Sequence, residues 1–140
     1  MNIKTERRRL FNPHARAACG ARMRERRDIL RRLSHPWSSA LLRLNVAAEF
    51  AVDVELMTGP RKFPELVEAR CACALVMRRR FGWSTTRIGR ALGDRDHTTI
   101  GHALREGARR ESADPDFAAR LARIEAEMWP VEREEQPCAA

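Results

Sequence analysis

The stretch from Ser84 to Arg110 constrains the fold more than any other part of the chain. Ser84 is placed to cap a short helix over Thr85–Leu92, with Ile88, Ala91 and Leu92 turned to one side. Gly93 supplies the stop. Two residues after Asp94, Asp96 can cap again and open a helix from His97 to about Arg110, with Ile100, Ala103 and Leu104 inward. A short helix, a tight glycine-containing turn and a second helix is the layout of a helix-turn-helix.

The flanking sequence supplies helices and no convincing strands, so the expected class is all-α. Ala15–Leu33 is helix-compatible, with a thin apolar stripe of Cys19, Met23, Leu30 and Leu33, although Gly20 weakens it. From Trp37, with Pro36 at the entrance, Leu41, Leu44, Ala48 and Ala51 or Val52 recur at helical spacing. Asp53 caps a short turn through Val54, Leu56 and Met57, which Gly59-Pro60 stops. After the basic loop Arg61-Lys62-Phe63-Pro64 a long helix is expected from Glu65 to Phe81, with Val67, Cys71, Ala74 and Met77 on its inner face and Gly82 at its end. Arg78, Arg79 and Arg80 suit its last turn as a solvated helix end or as phosphate ligands. Asp114-Pro115 starts a final helix with Phe117, Leu121, Ile124 and Met128 as a clean core face, and Pro130 ends it. The implied organisation is a basic extension over residues 1–36, a helical domain over 37–130 and an acidic, disordered tail over 131–140.

Charge narrows the partner. The chain carries a net +8 and has a pI near 10.8, which favours an anionic partner, nucleic acid first. Residues 1–33 alone carry eleven cations against three anions, whereas residues 111–140 carry three against eight. The arginine-rich front reads as a solubilising arm, an RNA-binding segment or a DNA-backbone arm, and its weak apolar stripe beside strong charge favours the DNA arm. No apolar run is long enough for a membrane span, and MNIKTERRRL lacks the apolar centre of a secretory signal. Cys19, Cys71, Cys73 and Cys138 form no CxxC pair and fit free thiols in a reducing cytoplasm. His97 and His102 lie five apart with no cysteine at ligand spacing, so no metal site is expected. The Asp96–His97 pair has no legible nucleophile beside it, and no G-x-x-x-x-G-K-[ST] occurs. No enzyme activity, nucleotide binding or cofactor is therefore expected.

The chemistry of the turn then becomes specific. A recognition helix meets base edges with its first residues. Threonine offers a methyl and a hydroxyl there, aspartate accepts from cytosine N4, and histidine reaches a base edge. The segment IGRALGDRDHTTIGHA, Ile88 to Ala103, resembles the signature of the C-terminal DNA-binding domain (domain IV) of the bacterial replication initiator DnaA. The match falls on Ile88, Gly89, Gly93, Arg95, Asp96, His97, Thr98, Thr99, Ile100, His102 and Ala103, and a weaker likeness covers about residues 42–128.

The resemblance implies a helix-turn-helix of the DnaA C-terminal, Trp-repressor-like type. Asp96, His97 and Thr98 would read bases in the major groove of duplex DNA at a DnaA box. Arg70, Arg95, Thr99 and His102 would hold the backbone, and Arg61 or Lys62 would enter the minor groove. With no G-x-x-x-x-G-K-[ST] beside this resemblance, the expected protein is a stand-alone one without the initiator's ATPase domain, cytoplasmic and nucleoid-associated, with a monomer favoured, regulating replication initiation or transcription. Two other readings stand beside it. One is an adaptor that binds DnaA or another replication protein through the N-terminal helix. The other is a nonspecific nucleic-acid binder acting through its arginine arm.

Overall fold

Helices in this chain begin where a short polar side chain can take up an orphan backbone N–H. The computed structural model describes residues 2–130. Asn2 accepts from the N–H of Lys4 at 2.9 Å and opens α1, Ile3–Leu10. Asn12 accepts from Ala15 at 2.9 Å and opens α2, Pro13–Leu33. Ser38 caps α3, Ser39–Phe50, and Asp53 caps the single turn α4, Val54–Met57. Ser84 caps α6, Thr85–Ala91; Asp96 caps α7, His97–Ala113; Asp114 caps α8, Pro115–Met128. Between α4 and α6 runs α5, Pro64–Val76, which lacks a side-chain cap and starts on Pro64 instead. Proline suits that position because its missing N–H is one of the orphans.

The long helix expected over Glu65–Phe81 is interrupted in its last turn. Residues Met77–Phe81 widen into a π turn, closed by Gly82 at φ 65°. The arginine triplet in this turn is divided between neighbours. Arg78 donates to the carbonyl of Trp83 at 2.8 Å, Arg79 pairs with Glu111 of α7 at 2.6 Å, and Arg80 pairs with Glu125 of α8 at 3.0 Å. The triplet thus ties the π turn to α7 and α8.

The core is built around α3 and α5, which are buried on nearly all sides. Leu42, Val46 and Phe50 of α3 share one buried cluster with Leu66, Ala69, Cys73 and Val76 of α5. From α8, Phe117, Leu121, Ile124 and Met128 close one side, with the Phe50 and Phe117 rings 5.9 Å apart. The small side chains of α5 let α7 cross closely: a Cβ on Gly107 would sit 3.1 Å from the carbonyl oxygen of Cys71. On the other side α2 lies across α3, burying Cys19, Gly20 and Met23, while Arg16 donates to the carbonyl of Phe50 at 2.7 Å. Part of the basic front is therefore built into the same core as residues 37–130. Of its expected apolar stripe, Leu33 stays 81% exposed. The acidic segment 131–140 lies outside the described residues.

Cys19, Cys71 and Cys73 are buried and unpaired. Burial pushes the Cys71 thiol up to about 11 and that of Cys73 up to about 12, and raises Cys19 as well. Since the thiolate is the reactive form, these three are expected to react with a thiol reagent at neutral pH only as fast as the core opens. Titration of native against denatured protein checks this: rapid native labelling of more than one of the four thiols would contradict it.

Candidate nucleic-acid interface

A major-groove element must be rigid behind and open in front. The back of α7 is fixed by Ile100, 1% exposed, with Ala103 and Leu104 packed beside it. Its front begins with Asp96, His97, Thr98 and Thr99, all exposed. The Asp96 carboxylate accepts the Thr98 N–H at 3.2 Å and touches Nδ1 of His97 at 3.1 Å. Desolvation works against the charged carboxyl of Asp96, but the Thr98 hydrogen bonds and the neighbouring His97 hold it below its ordinary value. Asp96 is thus an ionised cap, with the exposed side chains of His97 and Thr98 gathered against its carboxylate. One turn on, His102 and Arg105 share that front at helical spacing from Thr98. Arg105 Nη2 donates to Nδ1 of His102 at 3.1 Å, which leaves the other ring nitrogen of the histidine as a donor. Arg105 escaped the sequence reading, although its spacing from Thr98 and His102 placed it on the same face.

The tip is aimed by the turn before it. At Gly89 the backbone of α6 meets the chain entering α7: the N–H of Arg95 donates to the Gly89 carbonyl at 2.9 Å, and a Cβ on Gly89 would fall 2.1 Å from the Arg95 carbonyl oxygen. At Gly93, φ is 91° and a Cβ would fall 1.9 Å from the Thr58 carbonyl oxygen. The turn is therefore pressed against the end of α4, where the basic loop begins.

Two arginines lock that junction. Arg70 is 6% exposed; its guanidinium donates to the carbonyls of Met57 at 2.6 Å, Leu56 at 3.0 Å and Gly59 at 3.0 Å. Arg95 donates to the carbonyls of Leu92 and Gly59. Burial, reinforced by the nearby Arg95 charge, pulls Arg70 down to about 10, so it remains charged at neutral pH; burial lowers Arg95 too. Arg70, expected on a phosphate, is placed inside the protein, with its Nε and Nη2 donating to carbonyls of the α4 end. Arg95 likewise turns inward, half-buried, and serves the turn rather than standing free at the surface.

Arg61 and Lys62 are exposed on the loop that Gly59 and Pro60 lead into. The structure brings this loop and the tip of α7 into one neighbourhood through the Gly59 and Thr58 contacts. It also gives Arg61 a partner that sequence reading missed: Glu6 of α1, at 2.8 Å. A contact between residues so far apart in sequence leaves no signal in local spacing. Arg87 and Arg90 of α6 are exposed nearby, with Arg87 stacked 4.0 Å over the Trp83 ring.

Among the described residues no helix is long and apolar enough to cross a membrane. Comparison with known proteins agrees with the geometry. Residues 42–106 match the family described as bacterial DnaA protein helix-turn-helix, a span that holds α4 to α6 whole and most of α3 and α7. The chain is also similar to two chromosomal replication initiator proteins DnaA. That of Gloeobacter violaceus is 32% identical over 85 residues, covering 61% of this chain and 19% of the relative. That of Thermomicrobium roseum is 29% identical over 84 residues, covering 60% of this chain and 18% of the relative. The chain thus spans less than a fifth of the length of these relatives. With its turn, tip and supporting core all in place, residues 42–106 form a helix-turn-helix similar to that of the bacterial DnaA family, and over that span the chain is DnaA C-terminal-domain-like.

Proposed function

We propose that this protein binds duplex DNA sequence-specifically at DnaA-box-like nonamers, and that it regulates replication initiation or transcription from such sites in the nucleoid. The observation that carries this reading is the exposed Asp96–Thr99 tip on a helix whose opposite face is locked into the core. Side chains this short let the backbone approach the groove floor, and their donors and acceptors suit base edges. Thr99 and His102, one step behind on the same helix, take backbone phosphates. Arg105, beside His102, adds a cation there.

The test is binding to a nonamer duplex against a scrambled duplex of equal length and at fixed salt. His97→Ala or Thr98→Ala is expected to cost about 1–3 kcal/mol on the nonamer and to relax preference at one or two positions. Parent-like binding of both duplexes by both variants would remove the recognition helix from the interface. It would leave nonspecific attraction to the arginine-rich surface as the mode of binding.

The loop makes a separate contribution. Arg61→Ala and Lys62→Ala are expected to weaken binding most where the flank is A·T-rich, since a narrow minor groove concentrates negative potential around an inserted cation. Comparing A·T-rich with G·C-rich flanks decides it. Equal losses on the two would reduce Arg61 and Lys62 to phosphate contacts.

A further inference from the structure

Outside the matched region, α1 is fastened to the basic loop at three points. Arg7 forks onto Glu65, with Nη2 at 2.8 Å and Nε at 3.1 Å from Oε1. Glu6 pairs with Arg61 at 2.8 Å. The Phe11 ring, at the end of α1, meets buried Phe63 edge-on with centroids 5.7 Å apart. All three partners lie within residues 61–65. That loop is fixed in turn to the entrance of α7 through Gly59 and Thr58. The tip of α7, the loop and α1 therefore form one continuous, fastened surface.

The charges on α1 are divided by face. Lys4 and Arg8, four residues apart, share a face. With Arg7, Phe11 and Glu65 they line an open cleft of about 470 Å³. The two carboxylates nearby are already matched, Glu65 by Arg7 and Glu6 by Arg61. Lys4 and Arg8 are exposed and have no carboxylate partner among the described residues, so the cleft carries two uncompensated cations. Arg9 differs. It lines another cleft, beside Arg22 and Asp53.

We infer that the Lys4–Arg8 face of α1 is a second DNA-backbone contact, which takes phosphates of the duplex flanking the nonamer on the side where loop 61–62 approaches. The inference rests on the DNA-binding reading above and adds to it a surface outside the helix-turn-helix. Its chemistry is that of phosphate oxygens, which carry no base information, so this contact lengthens the bound site without altering the sequence preferred.

Adjacent residues of equal charge make the test sharp. Arg8→Ala and Arg9→Ala are made in the full chain, both at exposed positions, with thermal melting to show that the fold is kept. Two duplexes of equal length carry the nonamer, one extended to its left and one to its right. The parent is expected to prefer one of them. Arg8→Ala should lower affinity for that duplex severalfold, shrink the preference by the same factor, and reduce the slope of log K against log salt by about 0.9, one phosphate contact. Arg9→Ala should keep both the preference and the slope. Equal losses from Arg8→Ala and Arg9→Ala, or no loss from Arg8→Ala, would overturn the inference and leave only diffuse attraction. The nonamer-to-scrambled ratio of the parent is read separately. A ratio near one defeats the sequence-specific reading, whatever the two arginine variants do.

Discussion

Gly93→Ala is expected to be the most damaging single methyl this protein can receive. The new Cβ would lie 1.9 Å from the Thr58 carbonyl oxygen and 2.9 Å from its carbon. Both are backbone atoms held by α4, so neither can swing aside. The residue also sits at φ 91°, where a side chain is strained whatever the space. Left-handed backbone costs an L-residue roughly 1–2 kcal/mol and overpacking typically another 1–3, so a loss of about 2–5 kcal/mol is expected. That is a large share of the stability of a small domain. Urea unfolding measures it. Gly101→Ala is the internal control of opposite sign, because its Cβ would meet only Arg105 Nη1 at 3.6 Å. Inside α7 that change should stabilise by up to about 1 kcal/mol. A Gly93→Ala variant with parent-like stability would show that the turn is not pressed against Thr58.

Arg70→Ala is expected to cost about 3 kcal/mol, since it strips the carbonyls of Leu56, Met57 and Gly59 of a charged donor in a buried place. Arg70→Lys should recover little. An ammonium cannot reproduce the planar fork that spans these carbonyls. Unfolding midpoints of the two variants check the size of the loss, and nonamer binding at a temperature where both remain folded checks its reach. With Gly59 freed from one of its two arginines, the folded variant is expected to bind more weakly, and most clearly so on A·T-rich flanks. A variant that keeps the parent's stability would contradict the internal role of this guanidinium.

The elements with one wet face were legible in the sequence. In α8, Phe117, Leu121, Ile124 and Met128 are all buried as their spacing requires, and the caps Ser84, Asp96 and Asp114 hold their helices as written. The central helices were less legible because burial on every side erases periodicity. In α3 the stripe of Leu41, Leu44 and Ala48 is buried, but so are Leu42, Val46 and Phe50. In α5, Val67 was expected inside and is only half-buried, while Leu66, Ala69 and Ala72 are fully inside. The π turn at Met77–Phe81 has no local sequence mark. Neither does the inward turn of Arg70, since an arginine on a helix reads as surface until the carbonyls of α4 come into view. In the candidate interface, the tip was legible because capping and groove chemistry favour the same short side chains. The Glu6–Arg61 pair was not, because it joins segments that only the folded chain brings together.

The carbonyl oxygen of Gly59 accepts from two guanidiniums, one from the long helix α5 and one from the entrance of α7. Such a shared anchor makes the protein a ruler. Loop 61–62 and the tip of α7 cannot slide independently, so on the proposed reading the interval between a minor-groove and a major-groove contact would be set by the protein and not by the DNA. Adding one base pair shifts a contact along the duplex axis by roughly 3.4 Å and turns it by about a tenth of a helical turn. On the proposed reading, a base pair inserted between the two contacts would put one of them out of register, and the bound site would have a fixed length for a reason that lies within the protein.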